Sequence, residues 1–217
     1  MNEKRVPPRN KRLQGLYAIT DPLLCGERLI GKVSAAISGG IRILQYRNKH
    51  ASLAQQRKEA LALRSLCREH EVLFIINDNV SLASETDADG VHLGQQDDDL
   101  QHAREHLGED KIIGISCNNR FDLALGAQAE GADYVAFGRF FPSRTKPQAP
   151  PADMQLLERA RQELHIPVVA IGGITPRNAP ALLATGVPML AVIHGIFAAR
   201  DVRTAVQDYV RLFTPPS

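Results

Sequence analysis

Short β-branched and aliphatic runs alternate along the chain with longer stretches whose apolar residues recur at helical spacing. The runs LYAIT, IRILQYR, VLFIIND, GVHLG, KIIGISC, YVAFGRF, PVVAIGG and PMLAVIH predict eight strands. Helices are expected over GERLIGKVSAAIS, SLAQQRKEALALRSLCREH, VSLASETDA, DDLQHAREHLG, RFDLALGAQAEG, ADMQLLERARQELH, TPRNAPALLATG and DVRTAVQDYVRLF. The strands are apolar on both faces, which suits parallel strands with helical crossovers better than a half-solvated sheet. An open doubly wound sheet usually carries a glycine-rich loop after its first strand, but that strand runs into ITDPLLCGER, with no GxGxxG. The expectation is an α/β fold, a (β/α)8 TIM barrel forming one domain over residues 15–214.

Polar residues mark the ends of these strands and not their starts. They are Thr20 and Asp21, then Gln45, Arg47 and Lys49, then Asn77 and Asp78, followed by Asp97, Ser116, the group Ser143, Thr145 and Lys146, the pair Gly172 and Gly173, and His194. In a barrel such ends share one rim, so a single site built from at least seven loops is expected. Strand alternation puts Ile43, Gln45, Arg47 and Lys49 on one side. With Lys146, three cations then converge, an arrangement that repels itself unless an anion lies between them. Gln45, Asn77 and Ser116 add neutral donors around the same point.

Asp78 and Asp97, taken singly, each read as a cap for the helix that follows. Together, on adjacent loops beside three cations, they point to Mg²⁺ shared with phosphate oxygens. Asp98 and Asp99 read as solvated residues of a first helical turn. The glycines of VVAIGGIT and the start of AVIHGIF suggest a second anion site, suited to a phosphomonoester. Two anion sites flanking a cavity suggest transfer between two phosphorylated partners. His102 and His106 are expected to be exposed, Cys117 to be packing, and His92 to be an internal residue that orients the rim.

Composition narrows the partners. The 217 residues suit one domain, and 26 Lys and Arg against 24 Asp and Glu leave a net charge of +2, too small for a polyanion surface. Seven Phe, four Tyr and no Trp, with no basic stripe, argue against nucleic acid. Three cysteines without a CxxC pair read as reduced thiols of a cytoplasmic protein. No apolar run reaches the length of a membrane span, and no signal-peptide core opens the chain. Residues 1–14, beginning MNEKRVPPRNKR, read as a mobile basic arm.

The segments LYAITD, LQYRNK, FIINDN, DGVHLGQQD, IIGISC, ADYVAFGRFFPSRTKP and VVAIGGIT closely resemble, in order, the thiamine-phosphate synthase (thiamine-phosphate pyrophosphorylase) family. The resemblance implies a transferase joining 4-amino-2-methyl-5-(diphosphooxymethyl)pyrimidine to a thiazole phosphate or its carboxylate, with loss of diphosphate. It implies that Gln45, Tyr46, Arg47, Asn48, Lys49, Asn77, Ser116 and Lys146 hold the pyrimidine diphosphate, with Arg47, Lys49, Ser116 and Lys146 acting in catalysis. Asp78 and Asp97 would hold Mg²⁺, and Ser143, Arg144, Thr145, Gly173, Ile193 and His194 the thiazole phosphate. Two positions depart from the family pattern: IHGI stands in place of a serine-containing ISAI, and Ser143 in place of a common threonine. A thiazole tautomerase or a non-catalytic thiazole phosphate sensor would share the phosphate end but has less use for the cations and acids. The implied partners are small molecules, with no nucleic acid or membrane, and a homo-oligomer is left open.

Overall fold

The eight apolar runs form eight parallel strands that close into a barrel in sequence order. They are β1 (Gly15–Ile19), β2 (Ile43–Tyr46), β3 (Leu73–Asn77), β4 (Gly90–Leu93), β5 (Ile112–Asn118), β6 (Tyr134–Phe137), β7 (Val168–Ile171) and β8 (Met189–Val192). The last strand pairs back to the first, Gly15 opposite Met189 and Ala18 opposite Val192. The structure is a computed structural model describing residues 11–145 and 147–213. Its helices are α1 (Pro22–Cys25), α2 (Leu29–Gly39), α3 (Leu53–Glu69), α4 (Val80–Glu85), α5 (Leu100–Leu107), α6 (Phe121–Ala129), α7 (Met154–Glu163), α8 (Ala179–Leu183), α9 (His194–Phe197) and α10 (Val202–Val210). The expected TIM barrel is therefore the observed fold.

Alternation along each strand feeds two separate cores. Tyr17, Ile43, Leu73, Ile75, Ile112, Tyr134, Val169 and Met189 fill the barrel interior. Their neighbours Leu16, Leu44, Phe74, Val91, Ile113, Val135 and Leu190 point outward, against helix residues such as Val33, Leu63, Leu157, Leu182 and Val206. Each buried aliphatic side chain contributes about 1.5–3 kcal/mol, so a strand apolar on both faces is stable only when covered on both. Interior volume is limiting. A Cβ at Gly114 of β5 would lie 2.0 Å from the Tyr134 ring, so that position admits no side chain.

Two local expectations need adjustment. The first helix, expected to begin at Gly26, is divided into α1, a 3-10 turn over Gly26–Arg28, and α2. Asp21 starts α1 early by accepting from the N–H groups of Leu23 and Leu24. The arm expected over residues 1–14 ends in packed chain: Leu13 is 3% exposed and belongs to the barrel-interior core, while Arg12 Nη2 donates to Glu71 O. Residues 1–10 lie outside the described residues.

Near the strand starts, charge serves stability. Asp133 (5% exposed) accepts from Arg104 Nη2 at 2.7 Å and from Ile113 N at 2.9 Å, while Arg104 Nη1 donates to Lys111 O at 2.6 Å. Removing one partner leaves a buried charge and an amide without compensation. Asp133→Ala is expected to lower the unfolding free energy by about 3 kcal/mol, read as a lower urea midpoint at unchanged slope.

Candidate active site

At the strand C-terminal ends lies a cavity of about 640 Å³, large enough for two small organic groups. Gln45, Arg47, Lys49, Asn77, Asp78, Asp97, Ser116, Ser143, Arg144, Thr145, Gly173, Ile193 and His194 all line it. Seven loops contribute these residues; the eighth strand end, that of β1, supplies Ile19. Thr20 instead holds the neighbouring strand end in place. Its Oγ1 accepts from Arg47 N at 2.8 Å and donates to Arg47 O at 3.2 Å, fixing the backbone from which Arg47 projects.

Beneath the cavity a chain of hydrogen bonds crosses the barrel interior. Gln45 Nε2 donates to Tyr17 Oη at 2.8 Å, which meets Tyr134 Oη at 2.8 Å. His92 Nδ1 lies 2.9 Å from Tyr134 Oη, and its Nε2 lies 3.1 Å from Ser116 Oγ. Burial pushes the pKa of both tyrosines well above the ordinary phenol value, which keeps them as neutral phenols. Gln45 and Ser116 are thus two ends of one network, and His92 holds the rim serine from below.

The acidic pair resolves the question of capping. Asn79, not Asp78, caps α4 by accepting from Leu82 N, and Asp99, not Asp97, caps α5 by accepting from His102 N. Asp99 is therefore a cap rather than a merely solvated first-turn acid. Asp78 adopts φ 64, a left-handed conformation tolerated by aspartate. It lies 2.5 Å from Lys49 Nζ. Asp97 accepts from Gly94 N at 2.7 Å. Burial pushes the Asp97 carboxyl up, and the adjoining Asp78 carboxyl raises it further. Two neighbouring carboxylates freed from helix capping fit Mg²⁺, which takes one or two carboxylates and completes its shell with water and phosphate. Among the described residues, no group of three or more His, Cys, Asp or Glu collects as a richer metal site.

The opposite wall carries the glycine loop. Gly172 and Gly173 have φ 104 and φ 64, and a Cβ on Gly173 would lie 2.3 Å from Pro142 O. Only glycine lets this loop run so close to the segment carrying Ser143, Arg144 and Thr145. His194 opens α9 beside it. Tyr209 of α10 supports the wall from behind, donating to Ile174 O at 2.9 Å.

Three expected residues stand apart. Tyr46 and Asn48 occupy the other face of their segment, where Tyr46 Oη and Asn48 Nδ2 both donate to Glu59 of α3. Strand alternation turns their side chains toward the helix layer, so any part they take in holding the pyrimidine diphosphate falls to the backbone of the 45–49 segment. Asn48→Ala is expected to leave both Michaelis constants within about twofold and to cost about 1 kcal/mol of stability, measured by steady-state kinetics and urea unfolding. Lys146 lies outside the described residues.

His102 and His106 are exposed, and Cys117 is buried with its thiol pushed up to about 12 by burial, as expected for packing roles. Arg139, Gln95 and Asn118 line the cavity without having been anticipated. Arg139 and Gln95 gave a weak signal because neither sits at an alternating position of a recognisable strand end, whereas Asn118, two residues beyond Ser116 at the end of β5, does sit at one.

A family model described as thiamine monophosphate synthase matches residues 16–196. The chain is 51% identical over 191 residues to a thiamine-phosphate synthase of Alcanivorax borkumensis, covering 88% of each. It is 50% identical over 204 residues to one of Thioalkalivibrio sulfidiphilus, covering 94% of this chain and 97% of the relative. A solved thiamine phosphate pyrophosphorylase from Pyrococcus furiosus is similar at TM-score 0.85 and 38% identity, covering 94% of this chain and 96% of the other. The match runs from the first barrel strand into the short helix after the last, through every loop that lines the cavity, and the chain belongs to the thiamine monophosphate synthase family.

Proposed function

We infer that this protein is a thiamine-phosphate synthase that condenses 4-amino-2-methyl-5-(diphosphooxymethyl)pyrimidine with thiazole phosphate or its carboxylate, giving thiamine phosphate and diphosphate. The observation that carries the reading is one cavity with two unlike ends. Arg47, Lys49, Asp78 and Asp97 lie at one end, and the Gly172–Gly173 loop with Ser143, Thr145 and His194 at the other. A diphosphate suits the first end and a phosphomonoester the second.

Residue chemistry favours displacement through a cationic pyrimidine. Arg47 and Lys49 offer positive charge to a departing diphosphate inside a shaped cavity, where such charge acts more strongly than in water. Asp78 and Asp97 would hold Mg²⁺, which when bound would supply Lewis-acid neutralisation of the same leaving group. Lys146 is assigned to this end by the resemblance. Gln45 turns its amide nitrogen down to Tyr17, which leaves its carbonyl oxygen as an acceptor for the aminopyrimidine. Ser116, steadied by His92, adds a hydroxyl beside the pyrimidine diphosphate. The thiazole nitrogen, positioned through its tethered phosphate, attacks carbon without a strong base. A tautomerase or a sensor leaves the paired aspartates without a task.

The test is direct. Purified protein is mixed with both substrates, with and without Mg²⁺, and thiamine phosphate and diphosphate are quantified. Equimolar products with Mg²⁺, falling at least about a hundredfold after chelation, are expected. Absence of product with Mg²⁺ present would reject the reading. A cytoplasmic location is proposed on the three free, buried cysteines. No helix among the described residues is long and apolar enough to cross a membrane.

A further inference from the structure

Arg139 follows β6 and lines the cavity, yet the roles assigned above give it nothing to do. Its Nε is buried without a hydrogen-bond partner. Among the described residues no carboxylate forms an ion pair with it. The residue is nevertheless firmly held. Its N donates to Pro150 O at 3.3 Å, its O accepts from Ala152 N at 2.8 Å, and its Nη2 donates to Pro147 O at 3.3 Å. Its Cβ lies 2.3 Å from where a Cβ on Gly172 would stand, so the side chain starts against the glycine loop. From there it reaches toward the segment that follows Ser143, Arg144 and Thr145. A guanidinium fixed between two anion-binding loops, partly desolvated and without a counter-charge, is unfavourable until an anion reaches it.

We propose that Arg139 is a substrate-binding residue that grips the phosphate of the thiazole substrate. The guanidinium fork adds charge-assisted hydrogen bonds to those offered by the glycine-loop backbone. This inference rests on the thiamine-phosphate synthase reading and assigns that reaction a further specificity residue.

The test compares the wild-type protein with Arg139→Gln and Arg139→Lys, using thiazole phosphate, its carboxylated form and the unphosphorylated thiazole alcohol. In Arg139→Gln, KM for both phosphorylated forms is expected to rise about 30-fold, and the preference for phosphorylated thiazole over the alcohol to fall by a similar factor. KM for the pyrimidine diphosphate stays within about twofold, and Arg139→Lys recovers part of the loss. A rise confined to the carboxylated form would assign the guanidinium to the carboxylate and overturn the proposal. Equal losses for the alcohol or for the pyrimidine diphosphate would make Arg139 a loop fastener, with the same consequence. Unchanged constants also overturn it. If the Gln variant fails to fold, Arg139→Lys alone carries the comparison, with a smaller expected rise in the same two constants. If the wild-type protein makes no thiamine phosphate, the synthase reading fails by itself. Calorimetric binding of thiazole phosphate to wild type and variants then decides the role of Arg139.

Discussion

Asp97→Asn is expected to lower the rate of diphosphate release about a thousandfold at saturating substrates while leaving the dissociation constant for thiazole phosphate within about twofold. The asparagine oxygen can still accept from Gly94 N, the 2.7 Å contact that shapes this loop, so the substitution removes charge with little change in backbone support. The remaining acid, Asp78, is 2.5 Å from Lys49 and is partly neutralised by it. A site left with that one compensated carboxylate holds a hard divalent cation poorly. Product formation titrated against Mg²⁺ should show a displaced midpoint as well as a lower plateau. Calorimetry with thiazole phosphate reads the other end of the cavity. Turnover equal to wild type at low Mg²⁺ would remove Asp97 from the reaction.

The barrel was legible because its strands are short, apolar on both faces and regularly spaced, and the site because polar residues interrupt that apolarity at one end only. What stayed hidden depended on contacts between distant strands or on a competition between neighbours. Asp78 and Asn79 are equally good helix caps by residue type. The left-handed turn at Asp78 and the bond from Leu82 N decide in favour of Asn79. Asp97 and Asp99 pose the same ambiguity two residues apart, resolved by His102 N.

The path from Gln45 to Ser116 joins strands β2, β1, β6, β4 and β5, so no local pattern announces it. His92 was recognisable as internal from its place in GVHL, but its tyrosine partner lies 42 residues away. Tyr46 and Asn48 point their side chains to the helix layer for a reason visible in the strand pattern. Alternation that turns Arg47 inward turns both its neighbours outward. Arg139 escaped notice because it sits between Phe137 and two further phenylalanines, where a cation looks like an isolated surface charge.

Arg47→Met is expected to have the other largest effect, lowering kcat about a thousandfold or more with the thiazole phosphate KM nearly unchanged. Arg47 and Lys49 share the cavity wall but not the same constraint. Lys49 is half exposed and already paired with Asp78, so part of its charge is compensated before substrate arrives. Among the described residues no carboxylate forms an ion pair with Arg47, and its backbone is locked on both sides by Thr20. Its full charge and rigid fork therefore remain for the diphosphate, whose charge grows as the C–O bond lengthens. An interaction that strengthens during bond cleavage is lost from kcat more than from KM.

Arg47→Lys should recover only about a tenth of the wild-type rate, since a point charge cannot replace two parallel donors. Lys49→Met should act differently. It frees Asp78 for the cation, so the rate loss should be smaller and the Mg²⁺ midpoint should move to lower concentration. Equal rate losses in Arg47→Met and Lys49→Met, with no change in Mg²⁺ dependence, would contradict this division of labour between the two cations.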